Sequence, residues 1–201
     1  MFVVTADQHA STRVGDRVES LLSALEPWMQ RWTDAIALPV ERTVGDEIQI
    51  VLTTPEAALD LGLTLARLGN WSIGIGVGPA DGPLGASARV SSGPAFLAAR
   101  RAVERAKLKS EPVPIVVAGV HDDAAEAATA VVQLIASVVR RRSQAGWEVA
   151  DLLTDGVTQR DVAARLAISQ QAVSQRVASA MIEEERRARP VAVRLVAAAG
   201  R

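Results

Sequence analysis

Ile36-Ala37-Leu38-Pro39-Val40-Glu41-Arg42, then Thr43-Val44-Gly45-Asp46-Glu47, then Ile48-Gln49-Ile50-Val51-Leu52-Thr53: the reading of these consecutive stretches decides the fold. The outer two are short and rich in residues that suit a pleated surface. The middle one holds Gly and Asp, so the run predicts an antiparallel hairpin. Working outward, Val14 to Thr33 places Val14, Val18, Leu21, Leu22, Leu25 and Met29 at helical spacing, and Phe2 to Ala6 is a β-type run. On the other side, Pro55 to Leu68 predicts a helix with Thr54 as N-cap and Pro55 at its first position, ended by Gly69-Asn70. Trp71 to Val77 alternates as a strand, Pro79 to Ser92 is a Gly/Pro/Ser-rich loop, Pro94 to Lys109 predicts a helix, and Val113 to Ala118 a last strand. The order βαββαβαβ predicts an α+β fold, with a ferredoxin-like sheet and its helices on one face, over residues 1–120.

Beyond Gly119 the pattern is purely helical. Asp122 or Asp123 can cap a helix reaching about Arg142, with Val131, Leu134, Ile135, Val138 and Val139 on its apolar side. Residues 121–142 are therefore a connecting helix, and they are either a dimer seam or a helix packed onto the sheet. Residues 143–201 form an all-α unit, beginning with a helix from Ser143 to Leu153 that Asp155-Gly156 breaks.

Within that unit Thr158 caps Gln159-Arg160-Asp161-Val162-Ala163-Ala164-Arg165-Leu166-Ala167, and Ile168-Ser169 turns the chain. Ser169 caps Gln170-Gln171-Ala172-Val173-Ser174-Gln175-Arg176-Val177, in a helix expected to continue to about Arg189. Val162, Leu166, Ile168, Val173 and Val177 fall where two crossing helices share a core. This segment resembles the helix-turn-helix of bacterial transcription regulators, whose second helix enters the major groove. Gln170, Gln171, Ser174 and Gln175 point away from the Val173/Val177 side. Gln pairs well with adenine, and Ser can bond several bases. Arg160, Arg165 and Arg176 are placed to meet phosphates.

Composition supports a split molecule. The 201 residues carry 22 Lys plus Arg and 23 Asp plus Glu, for a net charge of −1. Residues 1–139 hold 11 basic and 16 acidic side chains, and residues 140–201 hold 11 and 7. The basic end suits a polyanionic partner, double-stranded DNA. With no Cys, disulfides, thiolate nucleophiles and Cys-ligated zinc are excluded, and the two His (His9 and His121) are too few for a His-rich metal cage. No signal peptide is readable, and the apolar stretch Ala130–Val139 is too short and interrupted to span a bilayer, so a soluble, cytoplasmic protein without membrane contact is expected.

The acidic part carries a second constellation. Asp7 ends the first strand and Asp46-Glu47 sits in the hairpin. If those strands are neighbours, Asp7, Asp46 and Glu47 converge at one edge and are candidate ligands for Mg²⁺, which takes oxygen ligands together with substrate phosphates. Val44-Gly45-Asp46-Glu47-Ile48 resembles the signature turn of the diguanylate cyclases and the wider nucleotidyl cyclase superfamily. Ile73-Gly74-Ile75-Gly76-Val77-Gly78 is similar to that fold's fourth strand, and Ala99–Lys107 to its last helix. Gly45-Asp46-Glu47-Ile48-Gln49 with Gly93-Pro94-Ala95-Phe96-Leu97-Ala98-Ala99-Arg100 resembles the SatD family, which carries a cyclase-like domain; the likeness covers about residues 1–118. It implies a nucleotide site using Gly45, Asp46 and Lys107, the Lys against phosphate.

Three departures argue against turnover. Val44 replaces the turn's first Gly, Asp7-Gln8-His9-Ala10-Ser11 lacks the second Asp and the Phe and Asn, and Glu111 stands where an Arg would neutralise phosphate. No catalytic residue is assigned. The reading is a DNA-binding transcriptional regulator, expected as a homodimer, whose cyclase-like unit senses a nucleotide or metal or mediates dimerisation. The alternative is an active Mg²⁺-dependent nucleotidyl cyclase with a DNA-binding domain. The remaining features read as structural: the glycines at 74, 76 and 78 are no dinucleotide fingerprint, Arg140-Arg141-Arg142 either ends a helix or faces phosphates, Glu183–Arg187 is a solvated helix face, and the four Trp are core or interface anchors.

Overall fold

Five strands form: β1 (Phe2–Gln8), β2 (Ile36–Arg42), β3 (Glu47–Leu52), β4 (Trp71–Val77) and β5 (Ile115–Ala118). In this computed structural model, which describes residues 1–9, 15–43, 45–153 and 156–200, they make one sheet in the order β2-β3-β1-β4-β5. The hairpin pairs β2 with β3, and β1 lies antiparallel between β3 and β4. β4 and β5 are parallel, so they need a crossover connection. Helices α1 (Val18–Arg31), α2 (Pro55–Leu68) and α3 (Pro94–Ala106) complete the expected βαββαβαβ order, α3 being that crossover. Thr54 caps α2 by accepting from the Ala57 N–H, and Gly69, at φ 71°, ends it. The proposed helix start at Val14, the turn residue Val44, the post-strand residues Ala10 and Ser11 and the break at Asp155 lie outside the described residues.

The helices do not all lie on one face, and this corrects the expectation. Phe2, Val4, Ile50, Ile73, Ile75 and Ile115 face α1 and α2, whereas Val3 and Val51 face α3 through Ala95, Phe96 and Ala99. The reason is in β4. Its isoleucines turn to one side, and Gly74 and Gly76 turn to the other, where an added Cβ would overlap the α3 backbone at Ala95, Ala99 and Val103. The glycines and the alanine-rich side of α3 let helix and sheet approach closely.

The rest is helical: α4 (Asp122–Arg141), α5 (Gln144–Leu152), α6 (Gln159–Leu166), α7 (Gln170–Ser179) and α8 (Ile182–Ala198). Of its two readings, α4 takes the packed one. Ala128, Val132, Ile135 and Val139 join the main core, Thr129 Oγ1 bonds both the N–H and the C=O of Val117, and Gln133 Nε2 donates to the carbonyls of Val113 and Ile115. The helix after Ser169 stops at Ser179 rather than near Arg189. Met181, at φ 52°, is left-handed and redirects the chain. α8 then runs back so that Ala192, Val196 and Ala199 enter the sheet's core, and the Val120 N–H donates to Ala199. No helix among the described residues is long and apolar enough to cross a membrane.

Candidate functional site

The hairpin and β1 bring some of the proposed ligands together. Register sets Asp7 opposite Glu47 on one side and Ser72 on the other, so the three share one side of the sheet. α3 ends at Ala106, which leaves Lys107 at its C-terminus with Nζ 2.9 Å from Asp7 Oδ2 and 2.8 Å from Glu104 Oε1. Burial works against the Lys107 charge, but its bonds to Glu104 and Asp7 outweigh that and hold the ammonium above the ordinary lysine range. Glu47 accepts from Thr43 Oγ1 at 2.5 Å.

Asp46 lies in the turn just before β3, and its backbone carbonyl accepts from the Gln8 N–H at 3.3 Å. Gly45, at φ 64°, forms the turn, and its carbonyl accepts from Arg42 Nε. Of the proposed Mg²⁺ ligands, Asp7 and Glu47 share one side of the sheet, and the Lys107 ammonium pairs with Asp7. Among the described residues no three His, Asp or Glu stand close enough to hold a metal ion.

Glu47 also borders an open cleft of about 530 Å³ on the same side of the sheet. Thr5 and Gln49, bonded to each other at 3.0 Å, form its floor. Arg89 and Ser92 from the loop after β4, and Arg100 from α3, form its walls. The sequence reading missed Arg89 and Arg100. Arg100 ends the stretch that carries the family resemblance and Arg89 lies in a Gly/Pro/Ser-rich loop, and only the folded path of that loop and α3 brings them beside the hairpin.

In the helical unit each end is fixed by a local cap. Thr158 Oγ1 accepts from the Asp161 N–H at 3.2 Å, and Asp161 Oδ2 accepts from the Thr158 N–H at 2.9 Å. The Thr158 hydroxyl and then its N–H hold the Asp161 carboxyl below the usual range. Ala167, left-handed at φ 52°, closes α6, and Ser169 Oγ accepts from the Ala172 N–H to start α7. Val149, Val162, Val173, Val177 and Ile182 make a separate small core beneath α5, α6 and α7. Gln170, Gln171, Ser174 and Gln175 are exposed on the first turns of α7, and Arg160 and Arg165 are exposed on α6. Arg176 is half-buried and pairs with Glu148 of α5 at 3.0 Å.

Two other sequence expectations need correction. Arg142 neither faces solvent nor simply ends α4: its side chain is 2% exposed and pairs with Glu185 at 2.5 Å. Glu185 therefore does not belong to a solvated face, because Arg142 and Arg189 draw it inward. Comparison of the chain with protein-family models, curated proteins and solved structures finds no match.

Proposed function

We propose that this chain binds double-stranded DNA through α6 and α7 as a helix-turn-helix transcriptional regulator. One observation carries the reading: a row of exposed Gln and Ser side chains opens a helix whose start is fixed by a serine cap and whose other side sits on an apolar core. Such a row offers donors and acceptors to base edges from a rigid support. The basic surplus of residues 140–201 adds the long-range attraction that phosphates require. The sheet unit then serves as a cyclase-like module for sensing or assembly, in keeping with its resemblance to the SatD family. An Asp7 already ion-paired with Lys107 favours binding over turnover in that module.

Selection of bound duplexes from a random library tests the proposal directly. The expected result is an enriched motif whose affinity falls linearly with the logarithm of salt concentration. Absence of any salt-sensitive duplex affinity in the full chain sinks it.

A further inference from the structure

Between the sheet unit and the DNA-reading helices lies a second cavity, of about 380 Å³, large enough for a small metabolite. α2 supplies Asp60 and Arg67, α5 supplies Trp147 and Asp151, and α8 supplies Glu185 and Arg189. Arg31, Arg142 and Arg186 complete the charged lining, so five guanidiniums face three carboxylates.

The carboxylates are fully engaged. Asp60 Oδ2 accepts from the indole N–H groups of Trp28 and Trp32 and from Arg31, while Oδ1 accepts from Arg189. Glu185 accepts from Arg142 and Arg189. Asp151 takes both Nη atoms of Arg67. The guanidiniums are not. Each has five N–H donors, yet Arg31 makes one hydrogen bond and Arg186 one, to Glu183, among the described residues. Arg31 and Arg186 are 64% and 56% exposed at the side chain. Arg142, by contrast, is buried, and with Arg67 it lies over the Trp147 ring, at 4.4 and 3.7 Å from its centroid. The lining thus combines a buried base with unused donors at the mouth, and with Glu183 set against Arg186 it keeps one positive charge in excess.

We infer that this cavity binds a small oxyanion bearing two negative charges, a phosphate monoester or a dicarboxylate, and that its occupancy sets how the reading helices sit against the sheet unit. Planar guanidinium forks match both anions. Because the ligand touches α2, α5 and α8 together, binding favours the one arrangement in which those helices converge. The second half of the inference rests on the DNA-binding reading above, whereas the first does not.

The test uses the full chain with inorganic phosphate, glycerol 3-phosphate and succinate as probes, at constant ionic strength set with sodium chloride. Calorimetry and thermal melting are expected to show saturable binding by one of them, with a rise in Tm of a few degrees at saturation. The two phosphates against succinate separate the two sources of the anion. The variant R31Q/R186Q is expected to lose at least tenfold in affinity, and R31K/R186K, which keeps charge but not the fork, to fall between it and the parent chain. No saturable binding by the parent chain overturns the site, as does unchanged affinity in R31Q/R186Q once its far-ultraviolet dichroism shows it folded. Duplex affinity is then measured with and without the bound probe. A change of threefold or more that disappears in R31Q/R186Q supports the coupling, and no change overturns it. A chain that binds the anion but no duplex refutes the DNA reading and leaves the site standing.

Discussion

Asp60 gathers two indoles and two guanidiniums on one carboxylate, which makes it the residue whose charge the structure depends on most. Burial by itself would push its carboxyl up, but the hydrogen bond and charge of Arg189, then the charge of Arg31 and the bond from Trp32, outweigh burial and hold it below the usual range. Asp60→Asn keeps the shape and removes the charge, leaving Arg189 half-paired. A loss of about 2–3 kcal/mol is expected at pH 7, below the usual cost for a fully buried pair because Arg31 is largely exposed. A lowered folded pKa gives stability that is complete above the unfolded value near 3.9 and is lost as pH falls through the folded value. Urea unfolding from pH 7 to pH 2 checks both: the gap between parent and Asp60→Asn should be constant above about pH 5 and close in acid. The residues on α7 make a different single-residue case. Gln171→Ala should cost about 1–3 kcal/mol of discrimination between duplexes, whereas Arg160→Ala should weaken all duplexes alike and reduce the salt slope by about one. Binding-site selection and salt titration separate the two, and equal effects on all sequences from both variants would deny α7 a reading role.

At the scale of elements, β4 and α3 approach backbone to backbone at Gly74 and Gly76. Gly76→Ala places a methyl group onto the backbone of Ala95 and Ala99, which a rotamer change cannot relieve. Forcing α3 outward is expected to cost about 3 kcal/mol, measured as a fall in the urea midpoint, and a neutral substitution would refute the close approach. This contact also marks what the sequence makes legible. The hairpin, the Thr54, Thr158 and Ser169 caps and the strand order along the chain follow from neighbours within a few residues, and they are readable. Gly74 and Gly76 are visible as glycines in a strand, but nothing local says that a helix presses on them. The stop at Ser179 is equally hidden, since neither Ala180 nor Met181 is a residue type that breaks helices. Of the candidate site, Asp7 with Glu47 follows from adjacent strands. Lys107 meets Asp7 only because the crossover helix ends beside β1.

At the scale of the whole molecule, the acidic and basic parts are bound to each other by more than a linker. Glu185 and Arg189 of α8 reach Arg142 and Asp60, the latter pair spanning 129 residues of sequence. The same helix ends inside the sheet's core, where Val196 is 0% exposed. Two independent domains would unfold separately. Here the C-terminal helix supplies part of the N-terminal core, so loss of one exposes apolar surface in the other, and cooperative unfolding is expected. Val196→Ala removes methyl groups from that shared core and should cost about 2 kcal/mol. The cost should appear as one displaced transition, with far-ultraviolet dichroism and tryptophan fluorescence superimposed. A variant that shifts only one of two resolved transitions would show that the α8 contact is too weak to unite the parts. A single displaced transition means that α8 joins the sheet's core to the small core beneath α5, α6 and α7, which is the condition for a ligand held between α2, α5 and α8 to influence a duplex held by α6 and α7.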